Sequence, residues 1–410
     1  MREGAVEAEE ERERIRGLSA EERREEGRPP KPCTGCAQGC PDCERRPSAS
    51  LDTEAEARAR KEEAEEARRN EKLLRDVLRL VNAGYLSKAN ARFTASPIAD
   101  VSEPDVRGNL RSLHPEATLF DEAEMADEPA ARMRDYRRRA TVTKDHFHEV
   151  FHCVSKMRAM GVDKVSAEEM QFLYFHGPEY KETLWQLVCM LNDATVHPSI
   201  ADFMGDLQLL GIEKRNEENE VVGTRPIGIP SVLRRLAGRV LMQAYSEAMG
   251  EFFTTTPVPP ELLVAAGHAA DRRCNVPQQL GVGTKGGAEI IVAGVRTHLG
   301  LHPDHAVASD DKKNGFNSIW RRAIFAGLRR WFPELIPTAR LWYARKGRLF
   351  TRVRGEGYAL ATDADGKVYY SEEGCAQGDP LGPFLWSIGY HWSLLQQQAA
   401  HPDTLLYAWR

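Results

Sequence analysis

Two adjacent carboxylates, Asp310 and Asp311, close the short run HAVASDD, and Phe316 follows five residues after the second. Read as a strand, the run places Asp311 on the face of Val307 and Ser309 and Asp310 on the opposite face, so one carboxylate serves a given site. A carboxylate at a strand end suits Mg2+ or Mn2+, hard cations that take one or two protein carboxylates and complete their shell with phosphate oxygens and water. By Phe316 the chain has turned toward the next helix, which would set the ring beside whatever Asp311 holds.

Two further stretches supply what a nucleotide needs. Lys214 and Arg225 flank a hairpin in EKRNEENEVVGTRP and together could clamp a triphosphate, Arg through its planar fork and Lys as a point charge. GCAQGDPLGPFLW puts Gln377 and Gly378 in a tight loop, with Asp379 expected as the N-cap and Pro380 at the first helical position. Bare backbone at such a helix start is open to a base or sugar.

The elements that must position these residues follow from periodicity. Residues 1–70 are rich in Glu, Arg, Ala and Pro and poor in large apolar residues, and read as a disordered charged arm or an isolated charged helix. From Glu71, EKLLRDVLRLVNAG has Leu73, Leu74, Val77, Leu78 and Val81 at helical spacing and Gly84 as C-cap. Helical spacing recurs between about 140 and 200, making 71–204 a helical N-terminal extension. LQLLGIEK and EVVGTRPIGIP read as two strands joined by a polar turn. A helix over SVLRRLAGRVLMQAYSEAM, a strand ending at Asp311, a helix from about Ser318, a hairpin through DADGK and a last helix after Pro380 complete the pattern. Strands interspersed with helices make 205–410 an α+β domain.

The net charge of −5 conceals a division, because residues 201–410 carry 24 Lys plus Arg against 22 Asp plus Glu. An anionic partner is therefore expected at the second half. The opening MREGAVEAEEERERIRG has no apolar core of a signal peptide, and no apolar stretch approaches the roughly 20 residues that span a bilayer. A soluble, intracellular protein with no membrane partner is expected, its eight cysteines reduced. Cys153, Cys189, Cys274 and Cys375 read as packing residues.

Taken in order, GYLSKA near residue 84, RPIGIPSVLRRLAGRVL, QLGVGTKGGAEIIVAGVR, DKKNGFNS and AQGDPLGPFLW resemble the reverse transcriptase of non-LTR retrotransposons, over most of residues 75–410. The resemblance implies a polymerase right-hand fold, with fingers and part of the palm in 205–410. It implies that Asp311 is the first metal-binding aspartate of the palm and that Phe316 excludes a 2'-hydroxyl. It further implies that Lys214 and Arg225 hold the incoming dNTP, and that Gln377 and Gly378 lie beneath the nucleotide and template base. RNA template and DNA primer would be the partners, RNA-directed DNA synthesis the family's reaction, and the nucleus its place in an active element. Asp310 stands where the family has an apolar residue under the sheet, and burying a lone carboxylate there would cost on the order of several kcal/mol. The family's remaining metal carboxylates form an Asp-Asp pair, and Trp409-Arg410 fits the two positions before it. The resemblance therefore implies that this chain alone does not polymerise; the alternative is a noncatalytic remnant that binds nucleic acid.

Between Arg321 and Arg354 ten basic residues face one acid, Glu334, among Trp331, Trp342 and Tyr343. Arg321, Arg322, Arg329, Arg330, Arg345, Lys346 and Arg348 are the expected nucleic-acid contacts, through phosphate pairing and base stacking. Three other motifs compete. HEVFH sets His148 and His152 on one helical face with Glu149 between them, the pattern of a zinc peptidase with Glu168 or Glu169 as third ligand, although Phe147, Val150, Phe151 and Val154 make the same helix an ordinary core helix. GVGTKG matches a dinucleotide-type glycine pattern without its preceding strand, and reads as a loop and helix start whose Lys285 could touch phosphate. Cys33, Cys36, Cys40 and Cys43 could bind Zn2+, with only three residues joining the two pairs.

Overall fold

The computed structural model describes residues 53–82, 96–117, 141–154, 159–353 and 357–408. The chain divides into two compact units, 1–95 and 96–410. In the first, α1 (Thr53–Asn82) begins well before the expected start at Glu71, because the Glu/Arg/Ala-rich stretch before it is itself made of good helix formers. Val77 and Leu80 are buried with Leu73 packed against them, whereas Leu74, Leu78 and Val81 are exposed.

The second unit contains α2 (Pro104–Ser112), α3 (Lys144–His152), α4 (Ala167–His176), α5 (Pro178–Asn192), α6 (Pro198–Gly205), β1 (Leu207–Arg215), β2 (Val221–Pro230), α7 (Val232–Thr255), α8 (Pro260–Ala265), β3 (Gln278–Gln279) and α9 (Gly287–Leu301). After these come α10 (Gly315–Ser318), α11 (Arg321–Trp331), α12 (Ile336–Tyr343), β4 (Gly347–Val353), β5 (Gly357–Leu360), β6 (Tyr370–Ser371), α13 (Gly382–Ala400) and β7 (Tyr407–Ala408). The mixture of helix with a mixed sheet agrees with the α+β expectation. β2, β1, β4 and β5 lie in that order, with β6 also paired to β4; β1 and β4 are parallel and the other pairs antiparallel. β3 and β7 form a separate parallel pair.

The expected hairpin forms with Leu207 opposite Pro230 and Ile212 opposite Arg225. β2 is an edge strand, which is why Pro226, with no N–H to donate, fits within it. One face of the hairpin carries Leu207 and Leu209 into a small core with Leu110, Leu349, Ala361, Tyr369 and Ala376. α7 starts where Ser231 accepts the Arg234 N–H, and it ends at a cap followed by Pro257. Its apolar stripe, Val232, Leu236, Val240, Leu241, Met249 and Phe253, joins α3, α5, α11, α12 and α13 in the main core. That core holds Phe147 and Leu191 together with Leu328 and Phe384, so packing is continuous across the expected boundary at 204/205.

Three local expectations are corrected. No ladder forms over residues 303–312: the run has one large apolar side chain, Val307, and that is 56% exposed, so neither face has anything to bury. The helix expected from about Ser318 forms as α11 but starts at Arg321, after the short α10 turn and extended backbone at Ile319 and Trp320. Asp379 is not the N-cap of α13: Leu381 holds that position without a side-chain cap, and Asp379, two residues earlier, is buried with its Oδ1 accepting the Leu381 N–H.

Candidate nucleotide site

The hairpin brings Lys214 and Arg225 to one face. Arg225 is opposite Ile212, and Lys214 lies two residues beyond Ile212 on the same strand, so the two cations are diagonal neighbours, both exposed. Ile227 shares that face, about 7 Å along β2 from Arg225. The loop with Gln377 and Gly378 abuts this strand: a Cβ on Gly378 would lie 2.5 Å from the Gly228 carbonyl oxygen and 3.7 Å from Ile227 Cγ2. Ala376 packs against the opposite face of β2, with Leu207 and Leu209, its Cβ 3.3 Å from where a Gly228 Cβ would sit. Gln377 is half-buried and Gly378 exposed.

Phe316 belongs to the same assembly. Its carbonyl accepts the Cys375 N–H at 2.8 Å. Its ring edge is 3.4 Å from the Cβ position of Gly382 at the start of α13. Gly374 adopts φ +68°, and a Cβ on it would stand 2.2 Å from the Phe316 carbonyl oxygen, so glycine is required for this approach. The α10 turn is anchored by Asn314 and Asn317, whose amides donate to the Leu113 carbonyl at 2.7 and 3.2 Å.

Asp311 lies on the exposed segment just before this turn. Asp310, expected under a sheet, is exposed and ion-paired with Lys312, so it carries no burial cost; the Lys312 ammonium sits 5.8 Å from the Tyr390 ring centre on α13. Among the described residues no group of three or more His, Cys, Asp or Glu side chains could hold a metal ion. Asp311 can contribute a single carboxylate to Mg2+, and phosphate oxygens and water would have to supply the rest.

Beneath the loop lies a polar cluster that sequence reasoning missed. Arg234 and Asp379 are fully buried and paired, Nε to Oδ2 at 3.1 Å, and Arg234 Nη1 also donates to the Met204 carbonyl at 2.7 Å. Burial opposes the Arg234 charge, but Asp379 overrides it and holds the pKa above the ordinary value. The Tyr343 hydroxyl donates to Asp379 Oδ2 at 2.6 Å and accepts the Ala376 N–H at 3.2 Å. The one sequence signal was the pairing of a charged residue with helix-core spacing, Arg234 within SVLRRLAGRVL.

Of the expected nucleic-acid contacts, Arg321 is withdrawn. It is 2% exposed and donates to the carbonyls of Gly374, Tyr343, Arg345 and Ser371 and to the Ser371 hydroxyl. Burial pulls its pKa down to about 10. Trp342 and Tyr343, expected to stack on bases, are likewise buried in the core. Arg322, Arg329, Arg330, Arg345, Lys346 and Arg348 are exposed. Four of these already meet carboxylates: Arg330 with Glu261 at 3.2 Å, Arg345 with Asp202, Lys346 with Glu372 at 3.2 Å, and Arg348 with Asp206 at 2.6 Å. Arg321→Met is expected to cost about 3 kcal/mol or more, because it strips buried carbonyls of their donor, whereas Arg322→Ala should change stability by less than about 0.5 kcal/mol. Urea denaturation of the two variants separates a buried tie from a surface cation; equal, small losses would show that Arg321 is dispensable.

The HEVFH residues have structural partners in α3 and around it. Phe147, Val150 and Phe151 bury α3 as a core helix. His148 Nδ1 contacts the Tyr174 hydroxyl at 2.8 Å, Glu149 accepts from Gln243 at 2.8 Å, and Glu169 caps Ser166. GVGTKG is a loop leading into α9, as expected, with Lys285 exposed. Cys375 is buried and Cys189 and Cys274 half-buried, but Cys153 is exposed at the end of α3. Cys33, Cys36, Cys40, Cys43, GYLSKA, Arg354, Trp409 and Arg410 lie outside the described residues. No helix among the described residues is long and apolar enough to cross a membrane.

No protein-family model matches the chain, and no curated protein sequence matches it.

Proposed function

We propose that this chain carries the fingers and part of the palm of a reverse-transcriptase-like nucleotidyltransferase, and that it binds a deoxynucleoside triphosphate together with an RNA template and DNA primer. The observations that carry this reading are that Lys214 on β1 and Arg225 on β2 share one face of the hairpin, that the Gln377–Gly378 loop rests on β2 at Ile227 and Gly228, and that Phe316 meets the start of that loop through the Cys375 N–H. A triphosphate is a dense anion that a Lys and an Arg on one face can hold. The loop offers backbone to the base and sugar, and a half-buried aromatic ring fixed beside it limits room at the 2' position. Mg2+, when bound, supplies charge stabilisation at the attacking and leaving oxygens. Asp311 is the residue that would hold it.

A second reading is favoured by one observation: no ladder supports Asp311. A carboxylate on exposed, unpaired backbone is poorly preorganised for in-line transfer, so the chain would bind nucleotide and hybrid without extending the primer.

The test is equilibrium binding of mant-dATP with MgCl2 to the full chain on an RNA template annealed to a dideoxy-terminated DNA primer. Arg225→Ala should weaken binding about 10- to 100-fold, the worth of a charge-assisted contact of about 1.5–3 kcal/mol. Phe316→Ala should bring the affinity for unlabelled ATP, read by its displacement of mant-dATP, up toward that for unlabelled dATP. An unchanged affinity in Arg225→Ala would remove the triphosphate clamp from the proposal. Incubation with an extendable primer and all four dNTPs separates the two readings, and no extension by this chain is expected.

A further inference from the structure

We infer that Tyr343 is a positioning residue of this nucleotide site, setting the height of the Gln377–Gly378 loop against β2; the inference rests on the nucleotide-binding reading above. The loop is held from below at three points. Arg321 Nε donates to the Gly374 carbonyl at 3.1 Å, the Tyr343 hydroxyl accepts the Ala376 N–H at 3.2 Å, and Asp379 Oδ1 accepts the Leu381 N–H at 3.0 Å. Gln377 and Gly378, the residues offered to the ligand, lie between the second and third of these points. The Tyr343 hydroxyl also donates to Asp379 Oδ2, so one oxygen ties the loop's ascending limb to the carboxylate at its descending limb.

Tyr343 is itself immobilised. It is 3% exposed, and its ring lies between two buried guanidinium groups, 4.7 Å from Arg234 and 5.3 Å from Arg321. Its backbone carbonyl accepts from Arg321 Nη1 at 3.1 Å. The hydroxyl therefore has a fixed position, and the Ala376 N–H can reach it only with the loop at its present height. Because Cys375 donates to the Phe316 carbonyl, a loop that shifts at Ala376 carries its neighbour away from the ring proposed to test the sugar.

Tyr343→Phe removes one oxygen, adds no bulk and leaves the Arg234–Asp379 pair in place, so the fold is expected to survive. The variant should bind mant-dATP about tenfold more weakly than the unaltered chain, the size of one well-placed hydrogen bond. Its preference for unlabelled dATP over ATP, read by displacement of mant-dATP, should fall, while its affinity for the RNA–DNA hybrid alone stays within about twofold. Phe147→Leu, a core change on α3 remote from the loop, lowers the melting temperature and serves as the control; it should leave nucleotide affinity and sugar preference unchanged.

If the unaltered chain fails to bind mant-dATP, the nucleotide-site reading fails and this inference with it. If the unaltered chain binds and Tyr343→Phe binds equally well with the same sugar preference, the inference alone is overturned. Equal weakening by Phe147→Leu would also overturn it, because Tyr343 would then act through stability and not through the loop.

Discussion

Asp379→Ala is expected to lower the unfolding free energy of the 96–410 unit by about 3–5 kcal/mol, the cost of leaving a buried charge without its partner. The guanidinium concerned is that of Arg234, which is 0% exposed and also donates to the Met204 carbonyl, a neutral acceptor that cannot balance its charge. The loss falls on both sides of the pair: the Tyr343 hydroxyl and the Leu381 N–H lose their acceptor as well. A double replacement, Arg234→Met with Asp379→Leu, should recover much of the stability of the single variant, since removing both charges also removes the desolvation cost of each. The double variant should nonetheless lose nucleotide affinity, because the loop above would lack its support. Thermal melts of the three proteins read the result directly, and a single Asp379→Ala variant melting within a degree of the original would mean that Arg234 finds another anion or water.

Acidification gives the second large effect. His114 and His391 are buried, and burial pulls the pKa of each from 6.5 down to about 4. His391 has no hydrogen-bond partner on either ring nitrogen and is ringed by Phe252, Phe253 and Trp331. His114 contacts the Leu110 carbonyl through Nδ1 at 2.8 Å and faces Tyr369, with the Arg111 charge further opposing protonation. In both cases the folded-state pKa lies below the unfolded one, so between pH 4 and pH 6.5 the unfolded chain binds more protons. Stability is therefore intact above about pH 6.5, falls as the pH drops toward 4, and levels off below that for these two groups. Each histidine contributes a loss of about 3 kcal/mol over the window. His391→Leu should remove its share of the pH dependence and, by eliminating two orphaned polar atoms, should leave the protein at least as stable at pH 7. Urea titrations at pH 7 and pH 4.5 measure both; equal pH dependence in the two proteins would show that His391 takes up its proton without unfolding.

These two effects involve residues that were silent in the sequence. Asp379 stood in GDPLG and read as a helix cap, because an aspartate before a proline and a helix has that local meaning. Its partner Arg234 lies 145 positions away, and nothing in either neighbourhood announces the other. Nothing in the sequence singles out His114 or His391, since burial of a titratable group is set by what packs over it. The same blindness placed Arg321 on a nucleic-acid surface: ten cations against one acid looked like a basic face, yet the chain turns Arg321 inward to hold four carbonyls. In the opposite direction, HAVASDD read as a strand from its alternation, but one valine is too little apolar surface to hold a ladder.

What the sequence determined by itself is therefore the locally encoded part. The hairpin of β1 and β2 flanked by Lys214 and Arg225, the helix α7 and the helix that follows Pro380 all rest on period, capping and turn chemistry acting over a few residues. Only the tertiary structure decided which charges are buried, which loop lies on which strand, and that Phe316 shares its backbone contacts with the Gln377–Gly378 loop. The physical reason is that burial and long-range pairing are properties of packed surfaces brought together from distant segments, and a window of sequence carries no record of its future neighbours.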